Sequence, residues 1–148
     1  MTKDVLISVK GLQFGNDVNN DMIEIITGGS YYKKNQKHYV LYDEMVEGFE
    51  GATRNIVKFD DTMLDLTKSG VTNVHMVFEE NKKNLTNYIT PYGNILIGID
   101  ARKVNVAETK ESIQIDIDYG LEVNYEFLAD CKIKMDIKSK DDSEFSLH

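Results

Sequence analysis

IQIDIDYGLEVNYEFLADCKIKMDI, residues 113–137, carries a hydrophobic side chain at every odd position: Ile113, Ile115, Ile117, Tyr119, Leu121, Val123, Tyr125, Phe127, Ala129, Cys131, Ile133, Met135 and Ile137. Ten of the twelve even positions are polar; Gly120 and Leu128 are the exceptions. A period of two held this long means extended chain with one wet face and one buried face. The stretch decides the fold class and names no reaction.

Extended as one strand it would reach roughly 80 Å at about 3.3 Å per residue. A compact chain of this size has a radius of gyration near ~15 Å, so the stretch must double back without exchanging its faces. A two-residue hairpin loop sets odd against even, so the turn has to be odd-numbered or bulged. Asn124-Tyr125-Glu126 is the expected loop. It pairs Val123 with Phe127, Leu121 with Ala129, Tyr119 with Cys131, Ile117 with Ile133 and Ile115 with Met135. On the wet face it sets Asp118 opposite Lys132 and Asp116 opposite Lys134. Sliding by two residues either way sets Asp against Asp, which reverses the sign of a cross-strand term worth about 0.2–1 kcal/mol per pair.

The chain of 148 residues is read as one domain over 1–138, followed by a polar tail at 139–148. It holds no apolar run near the ~20 residues that span a bilayer and no secretory leader, so a cytoplasmic location is expected. The net charge of −8 argues against nucleic acid and anionic membranes as partners. Cys131, on the buried face, reads as a small hydrophobe. Only two of the 17 basic residues are Arg, Arg54 and Arg102.

The remaining sequence also reads as strands. Val5, Ile7 and Val9 alternate up to Gly11, and residues 12–20 form a polar loop. A second strand covers 21–33, with Gly28-Gly29 marking a bulge, a bend or a close backbone approach. Further strands run near 38–44, 51–59, 62–68, 71–79 and 85–90. Thr90-Pro91-Tyr92-Gly93 is a turn. Beyond it Ile95, Ile97, Ile99 and Ala101 alternate, then the parity slips to Val104 and Val106, which implies a bulge near 100–103. No segment has a helical apolar stripe. Some eight to ten sequential strands with short turns make an antiparallel up-and-down β-barrel, the arrangement that removes sheet edges.

Four segments carry a resemblance to a known family: EIITGGSYYKKNQKHYVLYDE at 24–44, EGAT at 50–53, SGVTNVHMVFEE at 69–80 and YITPYG at 88–93. In order and spacing the chain resembles the YwiB-type family of small uncharacterised bacterial proteins, which implies a calycin-like (lipocalin-like) barrel and no activity or site residue. That family's first hairpin tip reads Asn-Gly, whereas this chain has Asn35-Gln36, so a wider tip is expected.

Sites are few. Neither a His-Glu-x-x-His pattern nor a Cys/His cluster accompanies His38, His75 and His148, so no metal or other cofactor is expected. The paired acids at 60–61, 79–80 and 141–142 fall at turns or in the tail. A barrel of about eight strands is wide enough to be packed solid or to hold one small ligand. The leading expectation is a non-enzymatic barrel holding a small apolar or amphipathic molecule. Ile117, Tyr119, Cys131, Ile133 and Met135 would line it, and Arg54 or Arg102 would meet a ligand carboxylate if either pointed inward. The second is a structural or protein-interaction module with a filled core; the third is an enzyme using His75 or Glu24.

Overall fold

The computed structural model describes residues 1–11, 24–45, 48 and 50–140. The loop expected at 12–20, positions 21–23, Val46, Glu47, Phe49 and the tail beyond Lys140 lie outside them. Ten strands follow in order: β1 (Asp4–Lys10), β2 (Glu24–Lys34), β3 (Lys37–Met45), β4 (Ala52–Phe59), β5 (Met63–Ser69), β6 (Val74–Glu79), β7 (Lys82–Thr90), β8 (Gly93–Glu108), β9 (Ser112–Val123) and β10 (Glu126–Ser139). They form one antiparallel sheet in the order β6-β5-β4-β3-β2-β1-β10-β9-β8-β7. No helix occurs among the described residues. The two outer strands of that order, β6 and β7, are consecutive in the chain. They meet again where Asn73 and Ile89 exchange both amide-to-carbonyl bonds at 2.9 Å, which nearly closes a barrel.

The β9–β10 ribbon has the expected register over most of its length. Leu121–Ala129, Tyr119–Cys131, Ile117–Ile133, Ile115–Met135, Asp118–Lys132 and Asp116–Lys134 are all direct partners. The turn differs. Asn124 (φ 51°) and Tyr125 (φ 69°) form a two-residue tip, Glu126 pairs with Val123, and Phe127 pairs with Glu122 rather than Val123. Positive φ at both tip residues matches the right-handed twist of the strands, which favours the short tip. The parity error it creates is repaired at once by Leu128, the extra residue of a bulge between Phe127 and Ala129. Phe127 therefore points outward and is 61% exposed.

A second bulge lies where the parity slip predicted it: Ala101 faces Tyr119, Lys103 faces Asp118, and Arg102 is the extra residue. The β2–β3 tip is not widened. Asn35 and Gln36 adopt φ of 52° and 66°, and Lys34 pairs directly with Lys37. Gln accepts positive φ here because strand pairing on both sides fixes the turn. Ser139 still belongs to β10: its amide donates to the Glu111 carbonyl, and its hydroxyl accepts from the Thr2 amide at 3.1 Å. The strand thus reaches Ser139, the first residue of the expected tail.

Gly29 illustrates a close approach in the wall. Its missing side chain faces the Leu41 carbonyl, and a methyl group there would sit 2.5 Å from that oxygen and 2.6 Å from Ile7 Cδ1. At Gly28, on the opposite face, a methyl would meet only the flexible end of Lys140. Gly29→Ala should lower unfolding free energy by about 1–3 kcal/mol, whereas Gly28→Ala should stay within about 0.5 kcal/mol of the parent. Denaturant unfolding of both variants decides; equal effects would contradict the packing described.

Candidate functional site

Of the proposed lining residues, Ile117, Tyr119, Ile133 and Met135 lie on the inner wall and are fully buried, while Cys131 is half-buried. Phe78 meets the Tyr119 ring edge-on, with centroids 5.1 Å apart and planes at 72°. Burial raises the Tyr119 hydroxyl pKa, and the neighbouring Cys131 thiol adds to the shift. Neither arginine points inward. Arg54 pairs with Asp43 at 3.3 Å on the outer wall. Arg102, the bulge residue, lies over Gly120 and pairs with Asp130. Both guanidinium groups are thus already matched to a carboxylate. His75 and Glu24 are also outer-wall residues, His75 Nε2 lying 2.9 Å from Asp65 and Glu24 accepting from the Ser8 hydroxyl at 2.5 Å. Among the described residues no three His, Cys, Asp or Glu side chains converge as a metal site.

Polar side chains enter the interior at its two ends. At one end Lys68, 6% exposed, places Nζ 2.8 Å from Glu44 Oε1. Asn55 Nδ2 approaches the same oxygen at 3.4 Å, and its fully buried Oδ1 has no hydrogen-bond partner. Sequence reasoning missed this group, although Lys68 stands in phase with Leu64 and Leu66, Asn55 with Val57 and Phe59, and Glu44 with Val40 and Tyr42. Removing one member of a buried ion pair leaves the other charge uncompensated, whereas replacing both with apolar groups is often neutral. Lys68→Met should therefore cost about 3 kcal/mol, and adding Glu44→Leu should restore most of it. A double variant as unstable as the single one in urea unfolding would rule this out.

The other end is the rim carrying the β2–β3, β4–β5 and β8–β9 turns. Here the Tyr31 hydroxyl and His38 Nδ1 share a hydrogen bond at 2.7 Å, and His38 Nε2 lies 3.7 Å from Glu108 Oε1. The His38 ring stacks on Phe59, with centroids 4.7 Å apart. Because a carboxylate only accepts, the neutral tautomer that suits both neighbours carries its hydrogen on Nε2, toward Glu108, and accepts from the Tyr31 hydroxyl at Nδ1. β3 and β8 are five places apart in the sheet order, half of a ten-stranded ring. Glu108 thus reaches across the opening and pinches it. Burial lowers the His38 pKa below the ordinary 6.5, a shift that Glu108 opposes. Burial also raises that of Tyr31, with Glu108 adding to it.

In the folded chain His38 binds its proton less readily than in the unfolded chain, so unfolding takes up a proton below the ordinary value of 6.5. Its contribution to stability is complete above that value and declines as pH falls through it toward the depressed folded value. His38→Gln keeps an acceptor for Tyr31 and cannot titrate. The stability lost between about pH 7.5 and pH 5.5 should be larger for the parent than for His38→Gln, and identical losses in urea melts would contradict the assignment. Glu108, Lys33, Asp61 and Asp60 are the charged groups that act on this ring and remain in both proteins.

The two best-formed depressions on the described residues are both superficial. One, of about 450 Å3, lies on the outer wall of β8, β9 and β10 beside Lys10, Lys103 and Lys134. Ile117 and Ile133 contribute to its floor with their side chains turned into the core. The other, of about 470 Å3, is a notch in the rim next to Tyr31 and Glu108.

A curated relative, the "Uncharacterized beta-barrel protein YwiB" of Bacillus subtilis (strain 168), is 26% identical over 111 residues, which is 75% of this chain and 77% of the relative. The crystal structure of the ywiB protein from Bacillus subtilis superimposes with a TM-score of 0.77 at 20% identity, covering 94% of this chain and 93% of that one. At that identity the likeness establishes the fold. The family described as "Domain of unknown function (DUF1934)" matches residues 7–135. With nearly the whole barrel inside that match, the chain belongs to the DUF1934 family of YwiB-type β-barrel proteins.

Proposed function

We propose that this protein is a non-enzymatic barrel with a solid interior, which recognises its partners on its rim and outer wall rather than enclosing an apolar cargo. The carrying observation is the filling of the centre: Tyr119, Phe59, Phe78, Leu66, Met76 and Ile99 are each less than 2% exposed. Side chains packed to the density of a protein interior leave no room for a lipid-sized molecule without repacking. The reading in which Ile117, Tyr119, Cys131, Ile133 and Met135 line a ligand would require those residues to separate. The inward polar groups favour a filled barrel too, since each bonds a neighbour across the wall. The absence of catalysis belongs to the same proposal, because the Tyr31 hydroxyl is committed to His38 and both are buried. The proposal extends to a cytoplasmic location, where Cys131, the single cysteine of the sequence, stays reduced.

An apolar fluorophore such as N-phenyl-1-naphthylamine tests the reading. Its emission should not rise with the folded protein, and native mass spectrometry of freshly purified material should return the mass of the chain alone. A saturable one-to-one rise in emission, or a co-purifying hydrophobic metabolite, would overturn it.

A further inference from the structure

We infer that the rim notch beside Tyr32 is a binding site for a flat nitrogen heterocycle carrying an anionic group, of mononucleotide size. The inference rests on the proposed solid core, which leaves the rim as the place where a small molecule can be held. Asp4 pairs with Ser30 and the Lys3 carbonyl accepts from the Tyr31 amide at 2.8 Å, so β2 projects past the first strand only from Tyr32 onward, and Ser30 to Lys33 line one side of a cleft of about 470 Å3. Met1 and Lys3 form the facing side, and Glu108 borders it from β8.

Three features of the notch specify the ligand. The first is the Tyr32 ring, 46% exposed, with one face stacked on Tyr39 at 4.8 Å between centroids and 6° between planes. Lys58 Nζ stands 5.9 Å from the Tyr39 ring centroid. The ring is therefore held in place before any ligand arrives, and as an exposed aromatic among the lining residues it offers a surface on which a second flat ring can stack. The second feature is charge. Lys3 and Lys33 both line the notch and neither has an ion-pair partner among the described residues, whereas Lys37 and Lys68 are matched to Asp60 and Glu44. Set against the Glu108 carboxylate in the same notch, these two ammonium groups leave it net positive on a chain of net charge −8, a local attraction for an anion.

The third feature is the Glu108 carboxylate, held at the border of the notch by His38 at 3.7 Å and 45% exposed. It accepts hydrogen bonds, so it favours a heterocycle with ring N–H donors and repels one presenting acceptors. Stacking, an acceptor and two cations together fit a guanine-type mononucleotide better than a simple phosphate. The overall negative charge opposes a longer polyanion such as a nucleic acid strand.

Backbone amide NMR with GMP as the probe tests this. GMP should shift resonances at Lys3, Ser30 to Lys33 and Glu108, with a dissociation constant below about 1 mM. Guanosine, lacking the anion, ribose 5-phosphate, lacking the ring, and AMP, lacking the ring N–H donors, should each bind at least tenfold more weakly. Lys33→Glu, and separately Lys3→Glu, should also weaken GMP at least tenfold; both residues are exposed, and the spectrum itself reports that each variant is folded. The inference fails if about 5 mM GMP leaves the rim unshifted, if ribose 5-phosphate binds as well as GMP, or if both charge reversals leave binding unchanged. A guanine-containing oligonucleotide that binds more tightly than GMP would overturn it in favour of a nucleic acid surface. Failure of the notch leaves rim shifts absent with the core still excluding fluorophore. Failure of the solid core instead appears as core shifts and fluorophore uptake.

Discussion

Each strand of this sheet must keep its apolar row on the inside, and the two longest neighbours of β9 do so only because each contains one extra residue. Leu128 in β10 and Arg102 in β8 are those residues. Without the first, the two-residue tip at Asn124-Tyr125 would turn Ile133, Met135 and Ile137 to water, since a shift of one residue reverses every side chain along a strand. Without the second, Val104 would leave the core. Fully burying an aliphatic side chain stabilises by about 1.5–3 kcal/mol, so a parity error over three or four positions would cost an amount comparable with the whole stability of a typical domain, about 5–15 kcal/mol. The bulges also shape the outer surface, because Arg102 and Phe127 both extend over Gly120, where no side chain stands in their way.

Most of the architecture was legible because burial and alternation are local signals. The 113–137 ribbon, the slip before Val104 and the turn at 90–93 each follow from a period of two and its interruptions. The β9–β10 tip was less legible, since a three-residue loop and a two-residue loop with a bulge satisfy the same parity rule. Twist decided between them, and twist leaves only a weak trace in residue type. The interior ion pair was legible in principle: Lys68 is simply the third member of the row Leu64, Leu66, Lys68. A charged residue in phase with apolar ones is easily read as the end of a strand. By contrast, the convergence of Tyr31, His38 and Glu108 joins strands half a ring apart, and no pattern within one strand reveals it.

The interior thus has a gradient of polarity along its axis. The middle is aliphatic and aromatic, while one end carries Lys68, Glu44 and Asn55 and the other Tyr31, His38 and Glu108. Tyr31 and His38 bond one another at one end, and Lys68 and Asn55 both approach Glu44 at the other. The half-satisfied Asn55, whose Oδ1 is buried and unpartnered, stands out against this pattern. It lies beside the Lys68–Glu44 pair, where its Nδ2 approaches the same Glu44 oxygen that Lys68 meets.

The order of the strands has a topological consequence. β1 and β10 are adjacent, and the Lys140 amide donates to the Asp4 carbonyl at 3.0 Å, so strands distant in sequence are joined side by side in the wall. The discontinuity in the sheet lies elsewhere, between β6 and β7, where the chain is continuous through residues 80 and 81. Traced from β7 through β10, then β1 to β6, the wall is a single unbroken meander. The connectivity is therefore cyclic: a polypeptide linked between residues 140 and 4 and cut at the 80–81 tip would visit every strand strictly in spatial order, with the same neighbours and the same core.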